Sequence, residues 1–122
     1  MNKTILIVDD SASMRSLVSM TLTDEGFDVI EACDGRDALK KLSGQKIHLV
    51  ISDVNMPNMD GITFVTEMKK LASYKFVPVV MLTTEGSAEK KAAGQSAGAK
   101  AWVVKPFQPA QLLAGVRKLL LV

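Results

Sequence analysis

One cysteine, Cys33, and one histidine, His48, stand in a chain of 122 residues. No disulfide can close within it, which fits a reducing compartment. His48 has no second histidine or cysteine to build a metal site with, so it reads as a surface residue at a strand start. Cys33 reads as a small packed residue. Long apolar runs are missing too: Ile5-Leu6-Ile7-Val8 and Leu119-Leu120-Leu121-Val122 fall far short of the roughly 20 residues a bilayer demands. Neither charge dominates, since 15 Lys+Arg against 13 Asp+Glu give a net +2. Composition therefore does not signal the basic surface that drives nonspecific nucleic-acid binding. Met1-Asn2-Lys3-Thr4 runs straight into the first apolar run, without a charged-then-apolar leader. The expectation is a cytoplasmic protein with neither membrane nor nucleic acid as partner. What the chain does have is 48% apolar residues, ample for one core. No repeat, low-complexity tract or linker divides it, so residues 1–122 are expected to form a single domain.

Short apolar runs alternate with longer stretches of helical period. Ile5-Leu6-Ile7-Val8, Asp28-Val29-Ile30-Glu31, His48-Leu49-Val50-Ile51-Ser52, Val79-Val80-Met81-Leu82 and Ala101-Trp102-Val103-Val104 are strand-like in length and side-chain type. Between the first two, Met14, Leu17, Val18, Met20 and Leu22 recur at helical spacing, with Gly26 where a C-terminal cap belongs. Asp34-Gly35 opens a second helix carrying Ala38, Leu39 and Leu42, and Gly44 follows it. A third covers about 62–71, with Phe64, Val65, Met68 and Leu71 on one face. The last starts at Pro109, a favoured first-turn residue, and carries Leu112, Leu113, Val116, Leu119 and Leu120. Residues 87–99 form the weak helix, because Ala92, Ala93 and Ala97 are its apolar residues and Gly94 and Gly98 each cost about 1 kcal/mol of helix propensity. Met14, Met20, Met68 and Met81 fit core stripes. This order predicts an α/β fold, a five-stranded parallel sheet doubly wound by helices as (βα)5, whose middle strands are apolar on both faces.

In open parallel sheets, ligands bind beyond the carboxyl ends of the strands. The first run ends in Asp9-Asp10, the third in Asp53, the fourth in Thr83-Thr84 and the fifth in Lys105-Pro106. Each has an ordinary explanation taken alone. Asp10 or Ser11 could cap a helix, Asp53 could open a turn, Thr83 could serve strand propensity and Lys105 could be a solvated charge. Their conjunction on one sheet edge points to a site. Carboxylates gathered there repel by about 4 kcal/mol per pair at 4 Å and an effective dielectric near 20. Such a cluster asks for a cation, and all-oxygen ligands with room for water and a phosphate oxygen suit magnesium.

Asp9-Asp10, Asp53 with Val54-Asn55-Met56-Pro57-Asn58-Met59-Asp60-Gly61 after it, Thr83 and Lys105-Pro106-Phe107 resemble the receiver domain of two-component response regulators. The resemblance covers nearly the whole chain and is greatest to stand-alone chemotaxis receivers of the CheY type. It implies the flavodoxin-like strand order 2-1-3-4-5. It implies that Asp53 is the phosphoacceptor, attacking a phosphohistidine of a CheA-like sensor kinase or a small acyl phosphate. Asp9, Asp10, Asp53 and the backbone carbonyl of Asn55 are the implied Mg2+ ligands, with Lys105 and the Thr83 hydroxyl directed to phosphate oxygens. A cis peptide before Pro106 is implied as well. Asn55 stands where phosphohydrolases of the haloacid-dehalogenase type, which also form an aspartyl phosphate, place an acid-base aspartate; asparagine cannot carry that proton. The protein is thus expected to promote its own phosphorylation and dephosphorylation and not to turn over substrate. Asn55 and Glu85 occupy positions that tune dephosphorylation in the family, and their polarity implies a signal lasting seconds to minutes.

By the same resemblance, Thr83 moves toward the phosphate and an aromatic on the fifth strand swings inward. Here that aromatic is Trp102, where Tyr or Phe is usual, and its indole N–H needs a partner when buried. The expected output surface is formed by the fourth helix, fifth strand and fifth helix, with Lys90, Lys91, Lys100, Trp102 and Lys118 on or near it. Together these lysines point to a partner with acidic character. A flagellar motor switch protein, a kinase docking domain and a phosphatase are the implied partners of a monomeric receiver. With no residues after Val122 to carry an output domain, output is expected by contact. A phosphorelay intermediate or a phosphate sink is the alternative role.

Overall fold

The computed structural model describes residues 3–83, 88–105 and 107–120, apart from the side chains of 88–90. Strands β1 (Thr4–Val8), β2 (Asp28–Ala32), β3 (Leu49–Asp53), β4 (Val79–Thr83) and β5 (Ala101–Val104) alternate with helices α1 (Ala12–Thr23), α2 (Gly35–Lys41), α3 (Gly61–Lys69), α4 (Ala88–Ala97) and α5 (Pro109–Leu120). All pairings are parallel and the sheet order is β2-β1-β3-β4-β5. The α/β (βα)5 fold expected from the sequence is the fold observed. From β1 the chain steps outward to β2, then returns across β1 to β3, so the winding reverses between β1 and β3. A crevice opens at such a reversal, at the carboxyl ends of the two strands.

Alternate strand residues supply two cores. Ile5, Ile7, Leu49, Ile51, Val80, Leu82 and Val103 pack with Val18 and Leu22 of α1 and Leu112 and Val116 of α5. Leu6, Val8, Val50, Val79 and Met81 meet Ala38, Phe64, Val65 and Met68 on the other face. Helices on both faces explain why β3 and β4 are buried throughout, whereas β2, at the sheet edge, exposes Asp28 and Glu31.

Short side chains set the helix starts. Ser11, Asp34 and Asp60 accept from the backbone N–H of Met14, Asp37 and Thr63 at 3.3, 2.8 and 2.8 Å, each cap contributing about 1 kcal/mol. Gly26, at φ +90, follows α1 in the left-handed region that the expected cap requires.

Several sequence expectations are corrected. Leu17 and Met20 are 44% and 60% exposed, because the row facing the sheet is Met14, Val18 and Leu22; at about 100° per residue, Met20 points away from Val18. Met20 is therefore not a core residue. Cys33 is exposed: it follows the edge strand β2, and its N–H donates to Asp37 at 3.0 Å. His48 is half-buried, its Nδ1 accepting from the Thr4 N–H at 2.9 Å, so it joins the starts of β1 and β3. The third helix ends at Lys69, and Leu71 is extended before a 3-10 turn, Ala72–Tyr74.

That turn is tied down by the Tyr74 hydroxyl, which is directed at the carbonyls of Leu42 and Gln45, the latter at 2.6 Å. Tyr74→Phe should lower stability by about 1 to 2 kcal/mol, read from the urea midpoint followed by circular dichroism.

Candidate functional site

Asp9 leaves β1 in the crevice and is fixed on every side. Its N–H donates to Ala32 (3.1 Å), its carbonyl accepts from Arg15 Nη1 (2.7 Å), and its Oδ1 accepts from the Ser11 N–H (2.9 Å). Arg15 is braced in turn by Glu31 at 3.4 Å. Because Val8 pairs with Ser52, the next residues, Asp9 and Asp53, emerge side by side. They are 2% and 8% exposed, while Asp10 stands in solvent. Lys105 follows β5, its N–H held by the Thr83 carbonyl at 2.7 Å. Its long side chain crosses the end of β4 to place Nζ 3.1 Å from Asp9 Oδ2 and 3.4 Å from Asp53 Oδ2.

The Asp53 carboxyl is held above the ordinary carboxylate range, first by burial and then by the negative charge of Asp9, although Lys105 pulls the other way. Ligand oxygens of Asp9, Asp10 and Asp53 lie within 4.8 Å of one another, a cluster among the described residues able to hold a metal ion. One ammonium against three carboxylates leaves the crevice with excess negative charge. The all-oxygen donor set, half sunk and open at Asp10, fits a hard divalent cation that keeps several waters. Asn55 is exposed in the loop directly after Asp53.

The loop from β3 to α3 is pinned at both ends. Asn58, at φ 67, donates from its amide to Asp34 Oδ2 at 2.9 Å, tying the loop to the cap of α2. Gly61 lies against the Asp53 backbone so closely that a Cβ would fall 2.0 Å from the Asp53 carbonyl oxygen. A side chain there would push α3 off the strand that carries Asp53.

Thr83 is fully buried at the end of β4, in register with Val104 of β5. Trp102 packs on the α3 side of the sheet, and its Nε1 is buried with no hydrogen-bond partner among the described residues. Its indole lies over Gly94 of α4, where a Cβ would come 2.6 Å from Trp102 Cζ3. Sequence reasoning missed this: Gly94 counted as a helix weakness, yet its missing side chain makes room for an indole. The signal was legible as the pairing of an oversized aromatic with a helix glycine, but nothing in the sequence says that the two meet. Arg15 was missed as well, an arginine in the first helix turn with no pattern tying it to Asp9.

Lys91, Gln95, Ala99, Lys100, Ala101 and Trp102 line a cavity of about 240 Å³ between α4 and β5. Lys91 and Lys100 thus come together with Trp102, whereas Lys118, exposed on α5, does not line it. Glu85, Pro106 and the Lys90 side chain lie outside the described residues.

Residues 5–117 match the response regulator receiver domain family, and the chain belongs to that family. It is 47% identical to the chemotaxis response regulator CheY4 of Vibrio cholerae, the likeness covering 98% of this chain and 99% of that one with a TM-score of 0.94. A CheY-like receiver domain protein of Methanospirillum hungatei is 29% identical over 98% of this chain and 94% of that one, at TM-score 0.92. The alkaline phosphatase synthesis transcriptional regulatory protein PhoP of Bacillus subtilis is 40% identical over 98% of this chain and 49% of its own length. The chain spans about half the length of the curated relatives it matches.

Two outcomes test this geometry. Gly94→Ala should displace the indole, shifting Trp102 emission to the red and lowering stability by about 1 to 3 kcal/mol. Asp53→Asn should stabilise the protein in metal-free neutral buffer, because a folded-state pKa raised above 3.8 makes the ionised carboxylate a cost of folding. The gain should shrink as pH falls through the raised value and vanish below the ordinary one, as measured by urea titrations across pH.

Proposed function

We propose that the protein is a two-component response regulator, with 1–122 as one receiver domain, whose Asp53 accepts a phosphoryl group from a CheA-like histidine kinase. What carries this reading is Lys105 Nζ reaching both Asp9 and Asp53 at the crevice where the sheet winding reverses. An Asp53 oxygen attacks phosphorus, the P–N bond of the kinase phosphohistidine breaks, and its electron pair returns to the imidazole. Asp9, Asp10, Asp53 and the Asn55 carbonyl would hold Mg2+, which supplies the charge neutralisation that lets an anionic nucleophile meet an anionic donor. Lys105 exchanges its carboxylate partners for a phosphate oxygen, and the Thr83 hydroxyl takes another. Asn55 and Glu85 set the lifetime of the adduct.

The added charge, about −1.5 to −2, draws Thr83 and alters the packing of Trp102 against Gly94. That changes the surface of α4, β5 and α5, whose lysines, Lys91, Lys100 and Lys118 among them, meet an acidic partner. The likeness to CheY4 across nearly its full length supports chemotaxis, with a flagellar motor switch protein and a phosphatase as partners. A relay or phosphate-sink role would use the same site, and the likeness to a transcriptional regulatory protein over 49% of its length supports an output other than the motor. Asn55 disfavours a phosphohydrolase, since no carboxylate stands two residues beyond the nucleophile. Among the described residues no helix is long and apolar enough to cross a membrane.

With acetyl phosphate and magnesium, the protein should take up one base-labile phosphoryl group, measured by intact mass, and Asp53→Asn should take up none. Undiminished incorporation in that variant would overturn the assignment. A beryllofluoride adduct should also change Trp102 fluorescence.

A further inference from the structure

Parallel strands put all their starts at one pole of the sheet, opposite the carboxylates. That pole carries an exposed aromatic ring among cations. Phe76, just before β4, is 87% exposed, although burying such a ring is worth about 1.5 to 3 kcal/mol. Lys75 Nζ lies 5.7 Å from its centroid. The ring is the shared wall of two cavities. One, about 300 Å³, is lined by Lys69, Lys75, Phe76, Gly98 and Lys100; the other, about 410 Å³, by Phe76, Pro78, Lys100 and Leu119. One side is thus cationic and the other largely apolar, with Lys100 on the rim of both.

The cationic side is held in place. The Lys69 stem crosses Gly98, where a Cβ would lie 3.1 Å from Lys69 Cε, and its ammonium donates to the Val77 carbonyl. Gly98 sits at φ +119, where a side chain is strained. The Lys100 N–H is anchored on the Val79 carbonyl at 2.8 Å. Burial and the charge of Lys100 lower the Lys69 pKa, so these two ammonium groups repel and an anion between them would relieve both. No carboxylate is among the described residues lining either cavity, and Glu67 is taken up by Lys70 at 2.7 Å.

We propose that this pole docks an acidic peptide segment of a partner protein, its carboxylates on Lys69, Lys75 and Lys100 and an apolar side chain in the notch of Phe76, Pro78 and Leu119. Charge and shape choose this occupant. A single ring offers no platform for successive bases, and two concave notches are unlike the broad apolar face that enters a lipid surface. The five residues of β4 separate this pole from Thr83 by about 17 Å, beyond a Debye length at physiological salt. The phosphoryl charge therefore does not act directly on Lys69, Lys75 and Phe76, and Lys100, which also lines the Trp102 cavity, is the one residue this pole shares with the output surface.

The test uses the whole chain and a fluorescein-labelled peptide, Glu-Asp-Glu-Phe-Leu-Glu-Asp-Glu, followed by anisotropy and by amide shifts in NMR. Saturable binding that weakens with salt and shifts the amides of Phe76 and Lys100 is expected. Phe76→Ala and Lys75→Glu should each weaken it about tenfold while leaving acetyl phosphate labelling unchanged, which separates this surface from the phosphoacceptor reading. Replacing the acids of the peptide by Lys should abolish binding, and replacing Phe-Leu by Ala-Ala should weaken it. Shifts confined to another surface, or variants that bind like the parent, would overturn the proposal. So would Phe76-dependent binding of phosphatidylserine vesicles or a thymidine oligonucleotide without the peptide, or Phe76-dependent self-association in sedimentation.

Discussion

Asp9 and Asp53 lie almost out of water at the ends of adjacent strands, and the Lys105 ammonium reaches both. Two like charges about 4 Å apart at an effective dielectric near 20 repel by about 4 kcal/mol, so the pair persists because the fold holds it. The parallel register brings Asp9 level with Asp53, the winding reversal opens the crevice above them, and the Thr83 carbonyl anchors the chain that delivers Lys105. Arg15 and the Ser11 N–H keep Asp9 from turning away. Much of the local structure around the crevice holds apart or neutralises charges that the sheet forces together.

Close packing, and not charge, requires two of the glycines. Gly61 lets α3 start against the Asp53 backbone, and Gly94 lets α4 accept the Trp102 indole. In both places a side chain is absent because another group needs the space. The buried indole N–H has no partner among the described residues, and the ring is seated against the bare Cα of Gly94. Charge is distributed along the strands too: the carboxylates gather at their ends and several lysines at their starts. A net charge of +2 conceals a molecule with two unlike poles.

Apolar runs of strand length, helix starts such as Ser11 and Asp34 and the cap glycine Gly26 are local features, and so the five strands and their helices were legible in the sequence. Asp9, Asp10, Asp53 and Lys105, which the structure brings together, were legible as strand-end residues because each follows an apolar run and parallel strands bring those ends to one edge. Met20, Cys33 and His48 were misjudged for one reason: spacing tells which residues share a face but not how wide the buried stripe is or what a loop residue meets. Leu17 and Met20 of the α1 stripe are left uncovered by the sheet, and His48 finds Thr4 forty-four positions away.

The sequence by itself determined the class of fold and the identity of the charged groups at the site, since both follow from pattern along the chain and from which residue ends each strand. Tertiary structure decided what those groups experience. Burial of Asp53, the bridge from Lys105, the seat of Trp102 on Gly94 and the exposure of Phe76 each depend on distances between residues remote in the chain. Charge and accessibility are properties of neighbours in space, and only packing assigns them.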